Sequence, residues 1–157
     1  MDFEDNRLAG KLGSAGGVRN VQYIGPYSRF TFYEQPKDKS IPNVLILSGP
    51  TVYAQQLLNQ VTKDWPKNEE LTIIGSDELD FPSGYSTIVG NWKIQDQTIM
   101  KAKRIISRSG YSTIMDLEVL KIDATLIPTH GQAEQEYLSK LHGIANRDKK
   151  KLYVRYS

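Results

Sequence analysis

The run Asn43-Val44-Leu45-Ile46-Leu47-Ser48, then Gly49-Pro50, then Ala54, Leu57, Leu58 and Val61 decides the fold. An apolar run without alternation suits a parallel strand covered on both faces; a strand with one wet face would alternate. Proline in the first helical turn gives up no hydrogen bond, and apolar residues at i, i+3, i+4 and i+7 form one buried helix face. The unit is strand, glycine turn, amphipathic helix.

The same unit recurs on the C-terminal side. Leu71-Thr72-Ile73-Ile74-Gly75 and Tyr85-Ser86-Thr87-Ile88-Val89-Gly90 are β-branched strand candidates, separated by an acidic, proline-containing stretch over 76–84. A helix beginning near Asp96 carries Ile99, Met100 and Ala102, and Arg104-Ile105-Ile106-Ser107 reads as another strand. After Gly110 come a helix over 112–121, a strand over 124–127, and a last helix near 132–142 with Ala133, Tyr137 and Leu141 on one face. Strands alternating with helices at this pitch predict a Rossmann-like, doubly wound, mostly parallel α/β sheet.

On the N-terminal side, Val21-Gln22-Tyr23-Ile24-Gly25 alternates like a short strand and is stopped by Gly25-Pro26. Residues 1–20 are polar, and Gly13-Ser14-Ala15-Gly16-Gly17 has no apolar period, so 1–20 reads as a fraying lead-in before a domain over 21–157. The charged run Arg147-Asp148-Lys149-Lys150-Lys151 reads as a solvated face.

Composition narrows the function classes. Twenty Lys and Arg against 18 Asp and Glu give a formal charge of +2, too near balance for a field that would gather nucleic acid or anionic lipid. With no cysteine, disulfide scaffolds, thiolate zinc sites, iron–sulfur clusters and cysteine nucleophiles are all excluded. No apolar run approaches the roughly 18 residues of a membrane span, and the opening Met-Asp-Phe-Glu-Asp is too acidic for a signal peptide, so a cytoplasmic location is expected.

In an open parallel sheet, ligands bind beyond the carboxyl ends of the strands, where loops enter helix N-termini. Three such loops carry suggestive residues. In Ser48-Gly49-Pro50-Thr51, glycine permits close backbone approach, although many α/β turns use glycine for conformation alone. In the segment from Ser107 to Asp116, small Ser109 and Gly110 expose amides to a phosphate, Ser112 and Thr113 add hydroxyls, and Asp116 stands where a ribose diol could be received. The competing structural reading makes Ser112 or Thr113 an N-cap, Asp116 a dipole-compensating acid and Arg108 a surface cation. In Pro128-Thr129-His130-Gly131-Gln132-Ala133-Glu134-Gln135, Glu134 and Gln135 suit sugar hydroxyls or a capping pair. His130, with only His142 elsewhere, has no metal-ligand spacing, and Asp77-Glu78-Asp80 reads as a solvated loop rather than a cation site; no metal is expected.

These loops, in this order, resemble the family 28 C-terminal, donor-binding domain of GT-B glycosyltransferases, the group to which the lipid II-forming N-acetylglucosaminyltransferase belongs. The likeness spans roughly residues 21–145. It centres on Arg108-Ser109-Gly110-Tyr111-Ser112-Thr113-Ile114-Met115-Asp116 followed by Pro128 and Glu134-Gln135. The resemblance implies that the diphosphate lies at Gly49, Ser109, Gly110, Ser112 and Thr113, with its charge met by Arg29 in a Gly25…Arg29 motif. It places the ribose on Asp116, where the family usually has the longer Glu, the base beside Asn91 and Trp92, and the sugar against His130, Glu134 and Gln135.

The activity so implied is inverting transfer of a hexosyl group from a nucleotide-sugar donor, a UDP-sugar in most of the family, with no metal or other cofactor. The general base belongs to an N-terminal acceptor domain, so a chain of 157 residues reads as half an active site, inactive alone. It is expected to be part of a longer protein, or a subunit completed by a partner chain, with peripheral membrane association through that partner or through the acceptor. UDP-sugar 2-epimerases share the fold and a similar Ser-Gly turn, and they stand as the alternative enzyme class.

Overall fold

The computed structural model describes Glu4 and residues 7–145. The charged run at 147–151 lies outside the described residues. Five parallel strands form one sheet: β1 (Ile41–Ile46), β2 (Thr72–Gly75), β3 (Ser86–Val89), β4 (Ala102–Ser107) and β5 (Asp123–Leu126), in the order β3-β2-β1-β4-β5. Four α-helices alternate with them: α1 (Thr51–Lys63), α2 (Trp92–Met100), α3 (Tyr111–Leu120) and α4 (Ala133–Ala145). This is the Rossmann-like α/β fold that the alternation predicts.

Consecutive residues of the central strands enter opposite layers, as a two-residue side-chain period requires. Val44, Ile74 and Ile105 face a core shared with Phe30, Ile99, Met100 and Leu120, while Leu45, Ile73 and Ile106 face one shared with Ala54, Leu57, Leu58 and Leu71. The middle of β1 and the end of β4 are therefore covered on both faces, which is why Val44-Leu45 and Ile105-Ile106 do not alternate. Val44, Leu45, Leu57 and Ile73 are completely buried; removing such a side chain from water stabilises the fold by about 1.5–3 kcal/mol each. On α1 the buried residues are Ala54, Leu57 and Leu58, with Val61 packed at the edge, as the i, i+3, i+4, i+7 spacing predicts.

The N-terminal part differs from its reading in two ways. Residues 21–25 form no strand; they run irregularly, with Ile24 exposed, before a 3₁₀ turn at Arg29–Phe32 that plugs Phe30 into the core. Val21, Tyr23 and Gly25 alternate but meet no neighbouring strand, and alternation without a ladder partner does not make a sheet. In the expected lead-in, Leu8 and Ala9 are buried, Leu8 packs on Ile114, Met115 and Leu138, and the Leu8 carbonyl meets His142 Nε2 at 2.6 Å. Gly10 makes this approach feasible: its φ is +54°, and a Cβ there would stand 2.9 Å from Leu141 Cδ2 and closer still to the Tyr137 hydroxyl.

Candidate functional site

The sheet order reverses direction between β1 and β4: the chain leaves β1 toward β2 on one side and returns to β4 on the other. Loops that diverge at such a switch point open a crevice at the carboxyl ends of the strands. Here the diverging loops are Leu47-Ser48-Gly49-Pro50, after β1, and Arg108-Ser109-Gly110, after β4; Ile46 and Ser107 are register partners at the ends of the two strands. The β5–α4 loop, residues 127–132, flanks the loop after β4.

Arg108 joins all three loops, and it does not fit the competing structural reading. Far from a surface cation, it is 8% exposed, with Nη1 donating to the Pro128 carbonyl at 2.8 Å and Nη2 to the Tyr53 carbonyl in α1 at 3.1 Å. Its Nε has no partner, and no carboxylate pairs with it among the described residues. Burial of this unneutralised cation pulls the guanidinium below its ordinary pKa, the direction expected when the charged form loses water without gaining an anion. Beside it the Ser107 hydroxyl is fully buried and also without a hydrogen-bond partner.

The remaining polar residues of the loops divide between structural work and open positions. Ser109, fully buried, donates from Oγ to the Gln135 carbonyl at 2.7 Å and so ties the β4–α3 turn to the start of α4. The Gln135 side chain accepts from the Thr129 amide at 2.9 Å and donates to Gln132 Oε1 at 2.6 Å, holding the β5–α4 loop from within. His130 and Glu134 are exposed. The N-cap of α3 is Gly110, with no side chain capping the helix, so neither Ser112 nor Thr113 acts as the cap; both sit inside the first turn. Gly110 has an extended φ of −71°, and a Cβ there would meet nothing nearer than Thr113 Oγ1 at 3.9 Å. Neither backbone conformation nor crowding requires glycine, and its missing side chain leaves the helix end open.

Gly49, at φ +85°, is exposed with open space around it, and α1 likewise has no side-chain cap. Thr51 Oγ1 donates to Glu78 Oε2 at 2.7 Å, however, so a carboxylate of the acidic loop already sits against the first turn of α1.

Arg29 and Asp116 are brought together, but by other partners. Ser28 donates from Oγ to Asp116 Oδ1 at 2.6 Å, while Arg29 Nε pairs with Asp96 Oδ1 at 2.9 Å and stacks its guanidinium 4.8 Å from the Phe30 ring. Asp96, 3% exposed, also receives the Tyr33 hydroxyl at 3.3 Å. Burial raises the pKa of the Asp116 carboxyl, outweighing the Ser28 hydrogen bond and the Arg29 charge that pull it down; nearby Asp96 adds to the rise. Sequence reasoning missed Ser28 and Asp96. A signal existed for the second, since Asp96 stands at i to Ile99 and Met100 on the apolar face of its helix.

Asn91 and Trp92 lie after β3, the edge strand, with β2 between it and β1. Asn91 is the N-cap of α2 and accepts from the amides of Lys93 and Ile94 at 3.1 and 3.4 Å; Trp92 is exposed beneath the Lys93 ammonium. Among the described residues no cluster of three or more His, Asp or Glu could hold a metal ion, and no helix is long and apolar enough to cross a membrane. No family model, curated protein or solved structure matches the chain.

Proposed function

We propose that this domain binds the diphosphate of a nucleotide-sugar donor in the switch-point crevice and serves as the donor half of an inverting hexosyltransferase. The observation that carries this reading is Arg108, a buried guanidinium without a carboxylate partner among the described residues, below the open N-terminus of α3. A buried cation and a helix end that presents amides favour the same ligand charge, and both favour a diphosphate over a neutral ligand. The order of the loop motifs, which resembles the family 28 donor-binding domain, adds the sugar nucleotide. The UDP preference, the ribose at Asp116, the base at Asn91 and Trp92, and the sugar at His130, Glu134 and Gln135 come from that likeness.

In this reading an acceptor oxygen forms a bond to the anomeric carbon as the bond from that carbon to the diphosphate oxygen breaks. The diphosphate leaves with the electron pair, and the acceptor proton passes to a base on the acceptor-binding domain or partner chain. The amides of the α3 turn and the Arg108 charge stabilise the negative charge that grows on the leaving group, a preorganised electrostatic contribution. Arg29 contributes less than the motif implies, because Asp96 already neutralises it.

Amide chemical-shift titration of the chain with UDP, UDP-GlcNAc and GDP tests the proposal. Shifts concentrated at Gly49 and residues 109–113, with UDP preferred, are expected. Absence of shifts at millimolar ligand would remove the nucleotide from this crevice in the isolated chain.

A further inference from the structure

A second concavity is lined at the N-termini of α3 and α4, by Tyr111 and Glu134. The N-terminal segment folds back over the domain and encloses a cleft of about 440 Å³, walled by Leu12, Val21 and Leu138, with the rings of Tyr23 and Tyr111 and the carboxylate of Glu134. Its shape is fixed by hydrogen bonds rather than left to a loose tail. Tyr23 donates from its hydroxyl to the Gly13 carbonyl at 3.2 Å, closing the 13–23 loop on itself, and just before it the Lys11 amide donates to the Tyr137 hydroxyl at 2.9 Å, pinning the segment to α4. The guanidinium of Arg7 packs 5.1 Å from the Tyr23 ring on the same segment.

The chemistry of the lining selects an occupant. Leu12 and Val21 remain 55% and 43% exposed, so an apolar body that covers them gains burial that the chain does not supply. Among the described residues that line the cleft there is no lysine or arginine, and Glu134 is the one charged residue, with no hydrogen bond or ion pair among the described residues. An anion would meet that carboxylate with no lysine or arginine among the described lining residues to offset it. A hydroxyl, by contrast, is a donor that a single carboxylate at the edge of an apolar cleft can receive without a second charge being buried. The volume falls within the range of small-molecule sites.

We infer that this cleft binds an uncharged, ring-bearing alcohol, with its ring between the tyrosines and aliphatic walls and its hydroxyl on Glu134. Glu134 is also the residue that the nucleotide-sugar reading gives to the hexosyl group. If that reading holds, the cleft occupant is the acceptor class, and the N-terminal segment contributes an acceptor subsite to the donor domain. Only this assignment as acceptor rests on that reading; binding of the alcohol does not.

The test is an amide-shift titration of the intact chain with naphthol, and with naphthoate as the anionic molecule of the same ring. Saturable naphthol shifts at Gly13, Ala15, Gln22 and Glu134 are expected, with naphthoate weaker by about tenfold or more because of the like charge at Glu134. Glu134→Gln should narrow that difference, and Leu12→Glu, at an exposed position that leaves amide dispersion intact, should weaken naphthol. Naphthol shifts that are absent or fall elsewhere, equal affinity for naphthoate, or undiminished naphthol binding by Leu12→Glu would each overturn the inference. Failure of UDP to bind, with naphthol binding intact, would remove the donor reading and leave the cleft.

Discussion

Ser28 Oγ donates to Asp116 Oδ1 at 2.6 Å across 88 residues of sequence, so the acid that the loop motif offers to a ribose also fastens the strap before β1 onto α3. The same strap is held to α2 one residue later, where Arg29 meets Asp96. In the proposed donor-binding reading, a ribose on Asp116 would share its carboxylate with the anchor of the strap.

That carboxylate makes stability depend on pH in a defined direction. Burial holds the pKa of Asp116 above the ordinary 3.8, so between that value and its raised one the folded chain keeps a proton that the unfolded chain has released. Stability from this group is therefore greatest in acid and falls as pH rises through the window. Urea midpoints of wild type and Asp116→Asn should show the wild type losing ground to the variant from below pH 3.8 toward neutrality. A constant difference would show that the carboxyl does not titrate differently on folding.

The Arg29–Asp96 pair should respond asymmetrically. Arg29→Ala strands a buried carboxylate with only the Tyr33 hydroxyl, at an expected loss of about 1–2 kcal/mol, between the values for exposed and buried pairs because the arginine side chain is 55% exposed. Asp96→Asn keeps the shape and frees an arginine that water can solvate, so it should cost less. Equal losses in chemical denaturation would contradict this account.

Arg108→Met removes two hydrogen bonds, to the Pro128 and Tyr53 carbonyls, and a buried positive charge beside the β4–α3 turn. A stability loss of about 1–3 kcal/mol is expected, together with loss of pyrophosphate binding. Arg108→Lys keeps a charge but not the planar fork that reaches both Pro128 and Tyr53, so it should be intermediate in both respects. Pyrophosphate affinity that is unchanged in the methionine variant, measured by calorimetry, would exclude the guanidinium from anion binding.

Gly110→Ala separates function from fold. The position has an ordinary φ and open space, so melting should report a stability within about 1 kcal/mol of wild type. A methyl group at the open end of α3 should nonetheless weaken UDP binding. Full affinity in the alanine variant would mean that no ligand approaches this turn closely.

The strands and helices were legible because their cause is local. Val44-Leu45 in β1 and Ile105-Ile106 in β4 lack alternation since both faces are covered there, and α1 shows its buried stripe in Ala54, Leu57 and Leu58. The readings that failed were those in which a residue's role depends on a distant partner. The competing structural reading made Arg108 a surface cation because its acceptors, Tyr53 and Pro128, lie 55 and 20 residues away. Val21-Gln22-Tyr23-Ile24-Gly25 looked like a strand because alternation is local, whereas the neighbour that would complete a ladder is not.

By itself, then, the sequence determined the alternation of parallel strands and helices and the three loops at their carboxyl ends, since side-chain periods of two and 3.6 residues are fixed by backbone geometry. Tertiary structure alone decided which polar groups in those loops are engaged and which are open. Ser109 serves α4, Asp116 holds Ser28, Arg108 is buried without a counter-ion among the described residues, and Gly110 leaves α3 uncapped. Hydrogen bonding and desolvation depend on what lies within a few ångströms, and in this fold those neighbours come from elements far apart in the chain.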